Sequence, residues 1–195
     1  MLELRNIFPK SYGYSYYGPV IKEHNYIKTL EKTRNTHNQI SVDKRVLNYN
    51  YSFKSFIEQS LKQYYIEELS IHENVTPVIT QSWFTYSDRH EMMHEHRHSN
   101  SIVSGVFYIN AVENLDELVF IEETNFYQMI DWGAYERRLT VPVKTGDLLL
   151  FRSDTEHYFN QVTHSEQRIS LAFNSFLEGE FGSENGATKL NLKIS

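Results

Sequence analysis

The chain has 195 residues, of which 40% are hydrophobic and 23% charged, a composition typical of one globular domain with its own core. The formal net charge is −6, so the composition does not indicate a nucleic-acid-binding protein. There is no cysteine, which excludes disulfides and leaves His, Asp and Glu to hold a metal. The charged N-terminal segment and the absence of a long apolar run predict a cytoplasmic protein without a membrane partner.

The N-terminal part of the chain predicts mainly helical structure. Residues 2–8 predict a short edge strand, residues 21–34 have apolar side chains near helical spacing, and the polar residues 34–44 predict a loop. Residues 52–69 carry apolar side chains at steps of three and four, the strongest amphipathic pattern in the sequence. We expect the helix over residues 52–69 to cover a sheet.

Beyond Pro77 the pattern changes to short strands rich in β-branched and aromatic residues. The predicted strands are residues 78–86, 102–109, 117–122, 136–143, 148–153, 157–162, 168–176 and 189–194. Helices followed by many short strands predict a mainly β fold with flanking helices, a sandwich or barrel. We predict one domain, with an N-terminal helical cover (1–74), a strand-rich core (75–177) and a C-terminal loop and strand (178–195).

Three histidines at alternate positions, His94, His96 and His98, precede the strand over residues 102–109. In an extended backbone residues two apart point to the same face, so these imidazoles can share one face. Imidazole is the commonest metal ligand among side chains, and it suits Fe, Zn, Cu and Ni. A further ligand has to come from elsewhere, and His157 is the candidate. A solvated polar cluster is the alternative, and spacing leaves open whether His94 or His98 joins His96.

The predicted strand over residues 168–176 has one apolar face and one polar face. Its polar face carries Arg168, Ser170 and Asn174, which is costly to bury unless something polar lies against it. A guanidinium matches a carboxylate through two hydrogen bonds, so this face predicts a pocket for a carboxylate-bearing co-substrate. The alternative is that Arg168 merely pairs with an acid such as Glu166 or Asp154.

Other polar and aromatic residues predict no chemistry by themselves. We expect His90 and His164 to be solvated, and the acidic run over residues 113–118 to form a solvated hairpin. Trp83 and Trp132 are most simply expected to be packing residues, although Trp132 lies in a predicted loop where it can line a substrate cleft.

Three segments, HRHSNSIVSGVFYI, GDLLLFRSDTEH and QRISLAFNSFLEGEFG, resemble in their order and spacing the 2-oxoglutarate/Fe(II)-dependent oxygenases of bacteriophages and bacteria. The segments NIFPKSYGYSYY and TPVITQSWFTY are similar to the opening and lead-in segments of that family, so the resemblance covers nearly the whole chain. It implies a double-stranded β-helix, or jelly roll, with Fe(II) at its mouth. It also implies small-molecule partners, namely 2-oxoglutarate and a main substrate that is hydroxylated, and a host-cytoplasmic location for a phage protein.

The resemblance also assigns roles by position. It implies that His96, His98 and His157 are the catalytic iron ligands and that Arg168 holds the far carboxylate of 2-oxoglutarate. The further co-substrate contacts it implies are Ser170, Tyr108 and Asn174, although Tyr108 taken alone predicts a core aromatic. One departure stands out, because most such oxygenases use two histidines and a carboxylate, and His98 occupies the carboxylate position.

Two other functions remain open from the sequence. One is a cupin-like metalloprotein that keeps the histidine site and does not use 2-oxoglutarate. The other is a non-enzymatic binding or structural module, such as a virion-associated one, whose histidines bind zinc or nothing.

Overall fold

The computed structural model describes residues 10–123 and 136–194. The edge strand predicted over residues 2–8 and the cleft residue Trp132 lie outside the described residues. Within the described ranges, no helix combines the length and the apolar character needed to cross a bilayer.

The described chain contains two α-helices, one 3₁₀ turn and twelve strands. The helical elements are α1 (His24–Thr29), the 3₁₀ turn (Val46–Asn48) and α2 (Lys54–Leu69). The strands are β1 (Gly13–Tyr16), β2 (Lys32–Arg34), β3 (Gln39–Ser41), β4 (Val75–Ser87), β5 (Met93–His96), β6 (Val103–Asn110), β7 (Asp116–Glu123), β8 (Glu136–Val143), β9 (Asp147–Arg152), β10 (Glu156–Phe159), β11 (Arg168–Phe181) and β12 (Leu190–Leu192).

The strands form two antiparallel sheets. The large sheet has the order β1-β9-β6-β11-β4-β3-β2, with β12 paired to the end of β11. The small sheet has the order β5-β10-β7-β8. The predicted mainly β fold with flanking helices, arranged as a jelly roll, is confirmed.

One core fills the space between the helices and the outer face of the large sheet. In α2 the side chains of Ile57, Leu61 and Tyr65 are buried there, as the spacing predicted. They meet the apolar face of β11, where Leu171 and Phe173 are fully buried. The helix over residues 52–69 is therefore confirmed as the cover of a sheet.

A second core lies between the two sheets. The large sheet contributes alternate residues such as Val106 and Leu149, and the small sheet contributes Leu118 and Phe120. The polar face of β11 points into this space, because its apolar residues belong to the other core. The jelly-roll interior is therefore the place where buried polar side chains are concentrated.

Two predictions of local structure are wrong at the N-terminal side. Only His24–Thr29 is helical within residues 21–34, and part of the predicted loop over residues 34–44 is strand β3. β2 pairs with β3, and β3 pairs with β4, so the sheet edge supplies backbone hydrogen bonds that helical spacing does not reveal. The part predicted as a helical cover thus adds three strands, β1 to β3, to the large sheet.

The predicted end of the last core strand at residue 176 and the loop predicted from residue 178 are also wrong, since β11 continues to Phe181. The extension pairs with the beginning of β4 and with β12. Gly179 permits this pairing: its φ is +129°, and a Cβ there would lie 2.0 Å from the carbonyl oxygen of Asn74. The division of the single domain into cover, core and tail stays a prediction.

Candidate metal centre

Two strands of the small sheet bring together histidines that are about sixty positions apart in the sequence. β5 pairs with β10, and in this register His96 lies opposite His157. His98 follows β5, and its backbone N–H donates to the carbonyl oxygen of Ser153 at 3.0 Å. One ligand nitrogen from each ring, in His96, His98 and His157, lies within 4.8 Å of the other two. The ring centroids are 4.4 to 5.2 Å apart.

The hydrogen bonds of the three rings determine which nitrogen faces the common centre. Nδ1 of His96 lies 2.7 Å from the carbonyl oxygen of His94, and Nδ1 of His157 lies 2.9 Å from that of Thr155. Nδ1 of His98 contacts the side-chain oxygen of Asn174. Carbonyl and amide oxygens only accept, so each Nδ1 carries the proton and each Nε2 keeps a free electron pair. Nε2 of His98 is buried and has no partner among the described residues.

Burial keeps these rings neutral, the form that binds a metal. Burial, and after it a charge on nearby His96, lowers the pKa of His157 to about 3. Burial also lowers the pKa of His96 and of His98. The rings of Phe151 and Phe120 lie 4.6 and 6.5 Å from that of His157 and exclude water from one side of the centre.

His94 is not part of the cluster. Its ring is exposed, and its centroid lies 5.6 Å from that of His37 and 5.4 Å from that of His96. No ligand atom of His94 joins the group of the other three histidines. Trp83, predicted only as a packing residue, stacks on His98 with ring centroids 6.1 Å apart. Of the two ligand sets that the spacing left open, the geometry favours the one with His98.

Arg168 is buried at the beginning of β11, with 4% of its surface exposed. Its Nη1 donates to Oδ1 of Asp116 at 3.3 Å and to the carbonyl oxygen of Asn160 at 3.2 Å. The ring of Phe159 packs against the guanidinium at 5.2 Å. The acid that pairs with Arg168 is therefore Asp116, and not Glu166 or Asp154, the acids named for the alternative in which Arg168 only forms an ion pair.

Two expectations about solvated residues are wrong here. Asp116, within the acidic run predicted as a solvated hairpin, is buried, and its Oδ2 accepts from the backbone N–H of Val112 at 2.8 Å. His164 is half-buried, and its Nε2 lies 3.0 Å from the same oxygen. The sequence did contain a signal for Asp116, because it has the same strand parity as Leu118 and Phe120, which face the interior. His90 is exposed, as expected.

Tyr108 and Ser170 occupy neighbouring strands on the inner face of the large sheet, where they pair in register. Ser170 is 5% exposed, and the hydroxyl of Tyr108 is buried without a partner among the described residues. Burial raises the pKa of Tyr108 although the charge of Arg168 opposes it, so the phenol keeps its proton. Asn174 lies on the same face, and its side-chain oxygen contacts His98.

Residues 81–174 match the model of a family described as "Putative 2OG-Fe(II) oxygenase". The matched segment contains the three clustered histidines and Arg168. Among curated proteins, none is significantly similar in sequence to this chain.

Solved structures share the fold at low sequence identity. The epimerase SnoN from nogalamycin biosynthesis, described as non-haem and α-ketoglutarate-dependent, superposes with a TM-score of 0.63 at 10% identity, over 87% of this chain and 80% of that one. HygX from Streptomyces hygroscopicus, solved with nickel and 2-oxoglutarate, gives 0.57 at 9% identity over 85% and 82%. An oxidoreductase of the 2OG-Fe(II) oxygenase family from Burkholderia pseudomallei gives 0.55 at 10% identity over 77% and 74%.

Proposed function

We propose that this protein, whose residues 81–174 carry the sequence pattern of the 2OG-Fe(II) oxygenase family, is a non-haem Fe(II)- and 2-oxoglutarate-dependent dioxygenase. The observation that carries the proposal is the convergence of three neutral imidazoles, in His96, His98 and His157, with Nδ1 of each ring already bonded to an acceptor. An oxygen that accepts from Nδ1 of each ring fixes the tautomer in which Nε2 binds a metal.

The donor set fits Fe(II), which imidazole ligands suit. Within the described residues, the ligand cluster contains no carboxylate. A neutral third ligand leaves the centre about one charge more positive than two histidines and a carboxylate would, which favours an anionic co-substrate. Bound iron would supply the oxidising chemistry, with dioxygen as the oxidant: one oxygen atom would enter succinate as 2-oxoglutarate loses CO₂, and the other would enter the hydroxylated main substrate.

The chain's own contribution is to bind and orient the co-substrate in a dry interior. Nη1 of Arg168 is held by Asp116 and Asn160, which leaves Nε and Nη2 without partners among the described residues. That edge of the guanidinium is the one we assign to the far carboxylate of 2-oxoglutarate. The unpartnered hydroxyl of Tyr108 and the hydroxyl of Ser170 would donate further hydrogen bonds.

Succinate formation from 2-oxoglutarate and Fe(II) tests the proposed activity, and Arg168→Gln tests the assigned co-substrate site. Glutamine keeps a polar amide in this interior and removes the charge and the forked guanidinium. We expect its affinity for 2-oxoglutarate to fall by roughly 10- to 100-fold while metal affinity is kept. Arg34→Gln is the matched control, since Arg34 is exposed and pairs with Glu91 on the surface. Equal 2-oxoglutarate affinity in both variants would contradict the assignment of Arg168.

A second function is favoured by one observation, the histidine in the place of the carboxylate. A three-histidine centre also suits a cupin-like metalloenzyme that does not use 2-oxoglutarate. In that case metal would bind to the three histidines, 2-oxoglutarate would not bind, and Arg168→Gln would change only stability. A protein purified without stoichiometric metal and showing no gain on addition of Fe(II) would instead favour a non-enzymatic module.

A further inference from the structure

The three clustered rings are not oriented in the same way. Nδ1 of His96 and Nδ1 of His157 each contact the backbone carbonyl two residues earlier, in the local segment of chain. Nδ1 of His98 contacts a side chain, the amide of Asn174, which lies 76 positions away on β11. The orientation of His98 therefore depends on the identity of one distant residue, whereas that of the other two rings depends on the backbone.

A buried group of hydroxyls supports this contact. The side-chain oxygen of Asn174 also accepts from Oγ of Ser104 at 3.0 Å. Oγ of Ser104 lies 2.8 Å from Oγ of Ser153, which lies 2.7 Å from Oγ of Ser101. The carbonyl of Ser153 in turn accepts from the backbone N–H of His98. The same buried group thus holds both the backbone and the ring of His98.

This arrangement selects one tautomer of His98. The amide oxygen of Asn174 already accepts a hydrogen bond from the hydroxyl of Ser104 and cannot donate one, so Nδ1 of His98 has to carry its proton. The electron pair then lies on Nε2, the buried atom without a partner among the described residues. A carboxylate ligand would need no such selection, because either of its oxygens can bind a metal. A neutral imidazole in that place does need it, since the other tautomer would direct an N–H at the ion.

We propose that Asn174 is a positioning residue that fixes the tautomer and orientation of His98 and thereby sets the metal affinity of the centre. This role rests on the metal site proposed above and replaces a direct co-substrate contact as the principal task of Asn174. Outer-shell partners of ligating histidines typically change metal affinity by about 10- to 100-fold when they are lost.

Two substitutions of similar size separate this role from a purely structural one. Asn174→Leu removes the acceptor, and Asn174→Asp keeps an acceptor and gives it a charge that raises the basicity of His98. We expect the Co²⁺ affinity of the metal-free protein, measured by chelator competition, to fall roughly 10- to 100-fold in Asn174→Leu. In Asn174→Asp we expect it to equal or exceed that of the wild type. Asn110→Leu is the matched control, because the side-chain amide of Asn110 donates to the carbonyl oxygen of Gln167 and contacts none of the three histidines.

A second readout is independent of metal and of activity. Imidazole ¹⁵N chemical shifts of the metal-free protein report which nitrogen of His98 is protonated, and we expect Nδ1 in the wild type and in Asn174→Asp. In Asn174→Leu we expect a mixture of tautomers.

The outcomes that contradict the role are specific. Asn174→Leu that folds and binds Co²⁺ as tightly as the wild type would overturn it, as would Asn174→Asp that binds as weakly as Asn174→Leu. If Asn174→Leu does not fold, two measurements still test the role of Asn174. One compares the Co²⁺ affinity of Asn174→Asp with that of the wild type, and the other determines the tautomer of His98 in the wild type. Wild-type protein that takes up no metal would overturn both this role and the proposed function, whereas the first two results leave the proposed function intact.

Discussion

The two cores of this protein lie on opposite faces of the same strands and differ in chemistry. The core between the helices and the large sheet consists of apolar and aromatic side chains, in which Phe53 stacks on Tyr51 and contacts Phe107. The core between the sheets also contains buried His157 and Arg168. The helix-side core can be packed for stability alone. The inter-sheet core carries polar groups whose burial costs free energy, which is the expected condition of a binding site.

The largest effect on stability should come from the helix-side core. Phe53→Ala removes a fully buried ring, and we expect the free energy of unfolding to fall by roughly 3–5 kcal/mol in urea denaturation. Ile66→Ala, on the exposed face of α2, is the control and should change it by less than about 0.5 kcal/mol. The folded fraction of Phe53→Ala should bind Co²⁺ as the wild type does. A weakened metal site in this variant would show that the two cores are not separable.

A smaller loss is expected when the buried ion pair of the inter-sheet core is broken. Asp116→Asn leaves Arg168 buried without its counter-charge, and we expect a loss of about 3 kcal/mol in the same assay. The double variant Asp116→Leu, Arg168→Met should recover most of that loss, because an apolar pair of similar volume avoids burying charge. It should still fail to bind 2-oxoglutarate. A double variant as unstable as Asp116→Asn would mean that the pair itself stabilises the fold.

Metal binding should stabilise the inter-sheet core through the three histidines. At a free Co²⁺ concentration 100 times the dissociation constant, linkage predicts a gain of about 2.7 kcal/mol in the free energy of unfolding. His157→Ala should abolish the gain, and His94→Ala should keep it, since His94 contributes no ligand atom to the cluster. If His94→Ala shows no stabilisation by Co²⁺, the alternative in which His94 and His96 are the ligand pair would be favoured.

The sequence predicted the two faces of β11 and the amphipathic helix, because local periodicity records which side of an element is buried. It also predicted the three residues of the histidine cluster and Arg168, although only the family resemblance chose His98 over His94. The sequence did not predict which residues contact those histidines and Arg168. Asp116 is 52 positions from Arg168 and Asn174 is 76 from His98, so their contacts depend on the sheet register.

The strands β2 and β3 were missed for a related reason. Their pairing with each other and with β4 is a tertiary effect, and residues 34–44 carry too few apolar side chains for a period-two pattern. The partial burial of His164 was missed because its partner, Asp116, was itself expected to be solvated. Polar residues on inward-facing strand positions are thus the ones whose environment local sequence describes least well.

The smallest expected effect is the pH dependence of the free energy of unfolding of the metal-free protein. A change in the inter-sheet core should alter the slope of this free energy against pH, and a change in the helix-side core should not. His157 has a pKa of about 3 in the folded protein and about 6.5 when unfolded, so the unfolded chain binds the extra proton first as pH falls. This contribution to stability is complete above pH 6.5 and is lost as pH falls from 6.5 towards 3. From His157 alone we expect a loss of roughly 1 kcal/mol between pH 6.5 and 5.5, measured by urea denaturation with a chelator present.

Surface carboxylates also titrate as the pH falls, so variants are needed to isolate the contribution of His157 to the pH dependence of stability. His157→Gln should reduce the slope of stability against pH, because glutamine does not titrate. Phe53→Ala should lower the whole curve and leave the slope unchanged, since the helix-side core around it is built of apolar and aromatic side chains. An equal slope in wild type and His157→Gln would mean that the interior already admits the charged imidazole at low cost. The inter-sheet core would then be more hydrated than its burial indicates, and its histidines would compete with protons for a metal near neutral pH.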